Sequence, residues 1–154
     1  MTSTLVKASL TPCTDEQIAN LEKLCQQLEN GGKTLFLRTE HHLHAGVYSR
    51  TIYVPKGVMA VGVTIKVPTQ FIASGDFTLT DGGTSKRFKG HHVFDGASRR
   101  RAAVFAHEDS AFTMLFATTA QTVEEAEEEF TDEADRLATR KEKLLCQGTQ
   151  SRQP

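Results

Sequence analysis

Residues 41–57 read HHLHAGVYSRTIYVPKG. From Val47 to Val54 the run is dominated by β-branched and aromatic residues, and Pro55-Lys56-Gly57 stops it as a turn would. The same grammar repeats on both sides. TLFLRT (34–39), VMAVGVTIKV (58–67), FIASGDFTLT (71–80), KRFKG (86–90), HHVFDG (91–96), RAAVFA (101–106) and AFTMLFAT (111–118) are short runs of strand-forming residues. Ser74-Gly75-Asp76, Asp81-Gly82-Gly83 and Asp95-Gly96 punctuate them. Turn signals at this spacing predict an antiparallel β sandwich or barrel over residues 33–119. No helical pattern interrupts the runs, which excludes a parallel α/β sheet.

Helices are expected on either side. In TDEQIANLEKLCQQLEN (14–30), Thr14 and Gln17 have capping-box spacing, and Ile18, Leu21, Cys25 and Leu28 recur on one helical face before Gly31-Gly32 ends it. In TVEEAEEEFTDEADRLATRKEKLL (122–145), Thr122 and Glu125 repeat the box, with an apolar stripe of Val123, Ala126, Phe130, Leu137 and Leu144. Acids fill its first half and Arg140, Lys141 and Lys143 its end, as the helix dipole favours. The chain therefore divides into an arm and helix (1–32), a β barrel (33–119), a longer acidic helix (120–146) and a tail (147–154).

At 154 residues this is one domain's worth of chain, 38% hydrophobic and 24% charged. The net charge of −1 argues against general nucleic-acid binding. No apolar run is long enough for a signal peptide or a membrane span. Cys13, Cys25 and Cys146 are scattered and odd in number, so neither a disulfide framework nor a cysteine zinc site is expected, and a reducing cytoplasm fits. Residues 33–118 hold eleven basic residues against six acidic. The acids of 124–135 either form a solvated helix face or pack across a basic surface, on the same barrel or on a neighbouring copy.

The run His41-x6-Tyr48-x-Arg50-x-Ile52-x-x-Pro55-x-Gly57 resembles small cupin-like proteins encoded by bacteriophages and prophages, over roughly residues 35–135. Ala106-His107-Glu108-Asp109 and Thr122-Val123-Glu124-Glu125 resemble the segment that leads from barrel to acidic helix in that group. The resemblance implies a mainly β fold, a single cupin-type jelly roll flanked by the two helices. It also implies a viral setting: the host cytoplasm or the virion. Cupins as a class commonly form dimers, and an apolar helix stripe needs a surface to cover, so a homo-oligomer is expected, with other phage structural proteins as further partners.

Metal-binding cupins carry three histidines and a glutamate in two motifs. Placing Gly75 on the glycine that closes the first motif puts Thr64 and Lys66 where two histidines would stand, and Gln70 at the glutamate. In the second motif Arg101 falls near the third histidine. Lysine and arginine offer a metal no lone pair. The resemblance thus implies no cofactor and no metal-dependent activity.

Other readings stay open. His42 and His44 share one face of a strand, and with His92 they form the fallback set for a metal. Otherwise the histidines of 41–44 sit hydrogen-bonded or exposed at a strand entry, or meet a ligand or another subunit. Tyr48, Arg50, Thr64, Lys66, Gln70 and Arg101 are the candidate ligand-binding residues of an anion-friendly barrel mouth. The competing reading has Arg50 bracing a carboxylate such as Asp95 or Asp109. Arg99-Arg100-Arg101 reads as a charged, solvated edge strand or a phosphate contact. Cys25, on the apolar stripe, reads as a core residue. No other catalytic constellation appears. The reading that follows is a metal-free, non-enzymatic structural, assembly or accessory module; the alternative is a small-molecule-binding protein or metal-dependent cupin enzyme.

Overall fold

The computed structural model describes residues 9–32, 35–137 and 140. Its strands are β1 (Ser9–Leu10), β2 (Thr39–His44), β3 (Val47–Val54), β4 (Met59–Val61), β5 (Thr69–Thr80), β6 (Ser85–Gly96), β7 (Ala103–Ala106) and β8 (Ser110–Ala117), with helices α1 (Asp15–Asn30) and α2 (Val123–Phe130). The main sheet runs β1-β6-β5-β8-β3-β2, and a second layer is built by β7, which pairs with β5 and β4. All these pairings are antiparallel except β1 with β6.

The long hairpin β5–β6 serves both layers. The first half of β5 pairs with β8 and its second half with β7. The hand-over happens at Gly75, which faces Gly90 across the ladder. Both have positive φ, 143° and 90°. A Cβ on Gly75 would lie 2.1 Å from the Ser110 hydroxyl oxygen and 2.9 Å from the Ser110 Cα, so only glycine lets β8 approach the bend. KRFKG and HHVFDG are therefore one strand bent at Gly90, not two.

The layers do not close into the expected barrel. VMAVGVTIKV forms only the three-residue β4 and a single bridge from Ile65 to Arg100. Gly62 and Pro68 interrupt the rest. The interior is instead filled in two parts. At one end Val54, Phe77, Phe94, Val104 and Phe112 are buried together, with Phe71 and Phe88 packed against them. At the other end Tyr48, Met114 and Phe116 are covered by Ala126, Phe130, Ala134 and Leu137. Helix α2 and the segment after it thus occupy the side that the second layer leaves open.

Helix α1 begins with the full capping box, Thr14 accepting from the Gln17 N–H and Gln17 from the Thr14 N–H. Only Leu21 of its apolar stripe is buried. Cys25 is half-buried at the margin, and Cys13 is the thiol in the core.

The second helix differs from expectation. Thr122 caps it through the Glu125 N–H, while the Glu125 carboxylate takes the Gln121 N–H rather than that of Thr122. It ends at Phe130, far short of 145. Thr131 is extended and buried. Its hydroxyl donates to the Thr64 carbonyl at 2.7 Å and accepts from the Glu133 N–H. A β-branched residue whose hydroxyl bonds the backbone competes with helix continuation. Like charges four apart, Glu124/Glu128 and Glu125/Glu129, weaken it further. A short 3-10 turn, Ala134–Arg136, follows. Leu144 and Lys141 lie outside the described residues.

Candidate functional site

The hairpin β2–β3 turns through Ala45 and Gly46, both at positive φ (53° and 73°), as a tight hairpin requires. That turn sets the register: His41 faces Arg50, His42 faces Ser49, and Leu43 faces Tyr48. The side chains of Tyr48, Arg50, Ile52 and Val54 then point inward. His41 Nδ1 and the Tyr48 hydroxyl are 2.7 Å apart. Tyr48 is fully buried, stacked against Phe130 and edge-on to Phe116. Burial pushes its phenol above the usual tyrosine range, against the pull of Arg50. Arg50 Nη1 donates to Glu127 Oε2 at 2.9 Å, and Arg140 Nε reaches Glu127 Oε1 at 3.3 Å. The Arg50 and Glu127 side chains are only 10% and 4% exposed. Arg50 therefore braces a carboxylate, but that of α2 rather than Asp95 or Asp109. Asp109 instead accepts the Lys56 N–H, fixing the Pro55–Gly57 turn.

A second polar cluster ties α1 to the sandwich. Arg101, with its side chain 2% exposed, donates from Nη1 to Glu22 at 2.6 Å and from Nε to the Gly62 carbonyl at 2.7 Å. Arg136 donates to the same carboxylate through both terminal nitrogens, and also to Glu133. Hydrogen bonds from Arg136 and Arg101 hold the Glu22 carboxyl down at about 2. The sign is then fixed. With an unfolded value of 4.5, Glu22 stabilises the fold above pH 4.5, and that share is lost as pH falls toward 2. Glu22→Gln is expected to melt below the wild type at pH 7, with the gap shrinking steadily as pH falls from 4.5 toward 2; a gap independent of pH would refute the assignment.

Arg100 is the odd member of the arginine run. It is buried, donates to the Thr69 hydroxyl, and leaves Nε without a hydrogen-bond partner among the described residues. Burial pushes it down to about 10, so it stays cationic at neutral pH. The run is not a solvated edge strand. Arg99 sits at φ 56°, which breaks the alternation, and Arg100 and Arg101 are both interior.

The expected mouth residues do not converge. Tyr48 and Arg50 lie under α2. The Thr64 N–H donates to Glu133, and Lys66 pairs with Asp132 at the surface. Gln70 is exposed on the opposite face of the main sheet, and Arg101 lies against α1. His42 and His44 are exposed on the outer face of edge strand β2. His92 lies on β6, separated from β2 by three strands, stacked on Phe94 with its Nε2 2.8 Å from the Lys89 carbonyl. The fallback histidines thus share no point, and among the described residues no three His, Cys, Asp or Glu side chains are placed to hold a metal. The residues aligned with the metal motifs do not fit a divalent ion: Lys66 and Arg101 are cations already paired with carboxylates. A cavity of about 530 Å³ lies between Arg38, Tyr53, Ser74, Asp109 and Ala111, and none of the expected mouth residues lines it.

Glu127, Glu22, Glu133 and Arg136 were not singled out by the sequence. For Glu127 a signal existed: it is four residues after Val123 and three before Phe130, on the apolar face of α2.

The architecture has partial likenesses among solved structures. It is similar to a cupin superfamily protein from Desulfitobacterium hafniense at 9% identity, covering 56% of this chain and 81% of that one with a TM-score of 0.46. It is also similar to a Cupin 2 conserved barrel domain protein from Salinispora arenicola, at 15% identity, covering 56% and 83% with a TM-score of 0.44. The ectoine synthase of P. lautus is similar at 12% identity, covering 63% and 75% with a TM-score of 0.48. No family model and no curated protein matches the chain. Among the described residues no helix is long and apolar enough to cross a membrane.

Proposed function

We propose that this chain is a cupin-like scaffold, acting through protein contacts rather than by metal-dependent catalysis. One observation carries the reading: the interior, where a cupin would hold metal and substrate, is filled by the chain's own side chains. Phe77, Phe94 and Phe112 pack one end, and α2 seats Phe130 on Tyr48 at the other. The cations beside it are matched by Glu127, Glu22 and Asp132. Among the described residues the buried Arg100 is held by the Thr69 hydroxyl instead of a carboxylate and keeps its Nε without a partner.

An assembly or accessory role, with the host cytoplasm or a bacteriophage virion as its setting, is the form of this proposal that the His41–Gly57 motif suggests. It rests on the motif's resemblance alone. Elemental analysis of the purified protein is expected to find substoichiometric zinc, iron, nickel and manganese. Stoichiometric metal that disappears in a His42→Ala/His44→Ala variant would overturn the scaffold reading. Mass spectrometry of virions from the strain that encodes the chain tests the setting: the virion assignment predicts the chain among their proteins, and its absence refutes that assignment.

A further inference from the structure

The cavity of about 530 Å³ lies on the outer face of the main sheet, away from the packed interior. Cross-strand register explains why the sheet dips there. One row runs Tyr53, Ala111, Ser74, His91 across β3, β8, β5 and β6. Large rings end this row, and two small side chains fill its middle. The next row, Thr51, Thr113, Ile72, Val93, carries larger branched side chains and makes a wall. On the other side β5 bends away at Gly75 toward β7, and Pro55 and Asp109 close the trough. The floor is therefore small and largely apolar. Its one hydroxyl, that of Ser74, is committed to His91 at 2.8 Å.

Among the described residues two charged side chains line this space, and they have opposite signs. Arg38 lies over the Tyr53 ring, 4.6 Å from its centroid. It is held there by Glu40, which also accepts the Tyr53 hydroxyl at 3.0 Å. Glu40 takes Nη2, while Nε and Nη1 of Arg38 make no hydrogen bond among the described residues. Asp109 Oδ1 accepts the Lys56 N–H at 2.8 Å, and its Oδ2 accepts none among the described residues. A simple anion would be drawn to Arg38 and repelled by Asp109, and a simple cation the reverse. A dipolar ion satisfies both. A sphere of the cavity's volume is about 10 Å across. Two charge-assisted hydrogen bonds of about 2.8 Å, with roughly 3 Å between the ammonium and carboxylate of an α-amino acid, span about 9 Å. The floor between Ala111, Tyr53 and Pro55 then suits an aliphatic side chain. We propose that this trough binds a free α-amino acid with an aliphatic side chain, its carboxylate on Arg38 and its ammonium on Asp109.

In an NMR titration L-leucine is expected to bind with a dissociation constant of about 1 mM or less, shifting the signals of Ser74, Gly75 and Ala111 first. 4-Methylpentanoate lacks the ammonium and L-leucinamide lacks the carboxylate. Each is expected to bind at least about tenfold more weakly, because each forfeits a hydrogen bond between charged groups. Arg38→Gln is expected to weaken L-leucine by a similar factor and to leave L-leucinamide no weaker. Asp109→Asn keeps an acceptor for the Lys56 N–H; it is expected to weaken L-leucine and to leave 4-methylpentanoate no weaker. Ala111→Leu fills the floor and is expected to abolish binding; should it fail to fold, the two rim variants decide. No saturable shift at these residues up to about 10 mM L-leucine, analogues that bind as tightly as L-leucine, or rim variants that bind it like the wild type would each overturn the proposal. None of these results bears on metal content or on the packed interior, so this inference and the scaffold reading fail separately.

Discussion

Phe130→Ala is expected to destabilise the protein by about 3–5 kcal/mol, the range for truncating a buried phenylalanine. Phe130 is 2% exposed and sits between Tyr48 and Phe116, with ring centroids 6.3 and 6.2 Å away. The loss extends beyond its own contacts. Tyr48 has Phe130 stacked on one ring face, and the Phe130 carbonyl accepts the Lys66 N–H at 2.8 Å, fixing the chain where it leaves α2. An eight-residue helix is too short to persist without tertiary packing. The variant should therefore lose α2 as a unit, and proteolysis should cut between Thr118 and Thr131 first. Phe130→Leu, which refills most of the volume, should lose much less. Urea titration of the three proteins decides it: a cost under about 1 kcal/mol for Phe130→Ala would mean that α2 does not close the sandwich.

What the sequence disclosed, and what it hid, follows from the reach of each signal. Local alternation and turn chemistry placed β3, β5 and β8 almost to the residue, and the Thr14 and Thr122 caps were readable because a cap is a contact between near neighbours. The split of β6 at Gly90 failed because a glycine within a strand looks like a stop unless its partner Gly75 is known. The long second helix failed because periodicity continued past Thr131, while the bond that ends it goes to Thr64, 67 residues away. The polar clusters were hidden for the same reason. Arg50 and Glu127 are 77 residues apart, and Arg136 and Glu22 are 114 apart. The motif His41-x6-Tyr48-x-Arg50 was legible as a unit, but its role was not: its residues form an interior brace under α2.

That brace gives the second large effect. Arg50→Ala is expected to cost about 3–5 kcal/mol, because it removes the closer cation from a carboxylate that stays buried. Glu127 retains Arg140, whose contact of 3.3 Å is longer than the 2.9 Å to Arg50 and comes from a more exposed side chain. With the Glu127 side chain only 4% exposed, solvent compensates poorly for the lost guanidinium. Two further variants separate a buried pair from a surface one. Glu127→Gln keeps the shape but strands the Arg50 charge, and should also destabilise. Arg50→Met with Glu127→Leu removes both charges and keeps apolar volume, and should recover most of the loss, since desolvating an ion pair cancels much of its attraction. A solvated bridge would behave differently, each single change costing about 1 kcal/mol or less. Denaturant unfolding of the four proteins distinguishes the cases. If Arg50→Ala alone is near neutral, the motif's arginine is not what seats α2, and the chain's interior is free to open there and admit an anionic ligand.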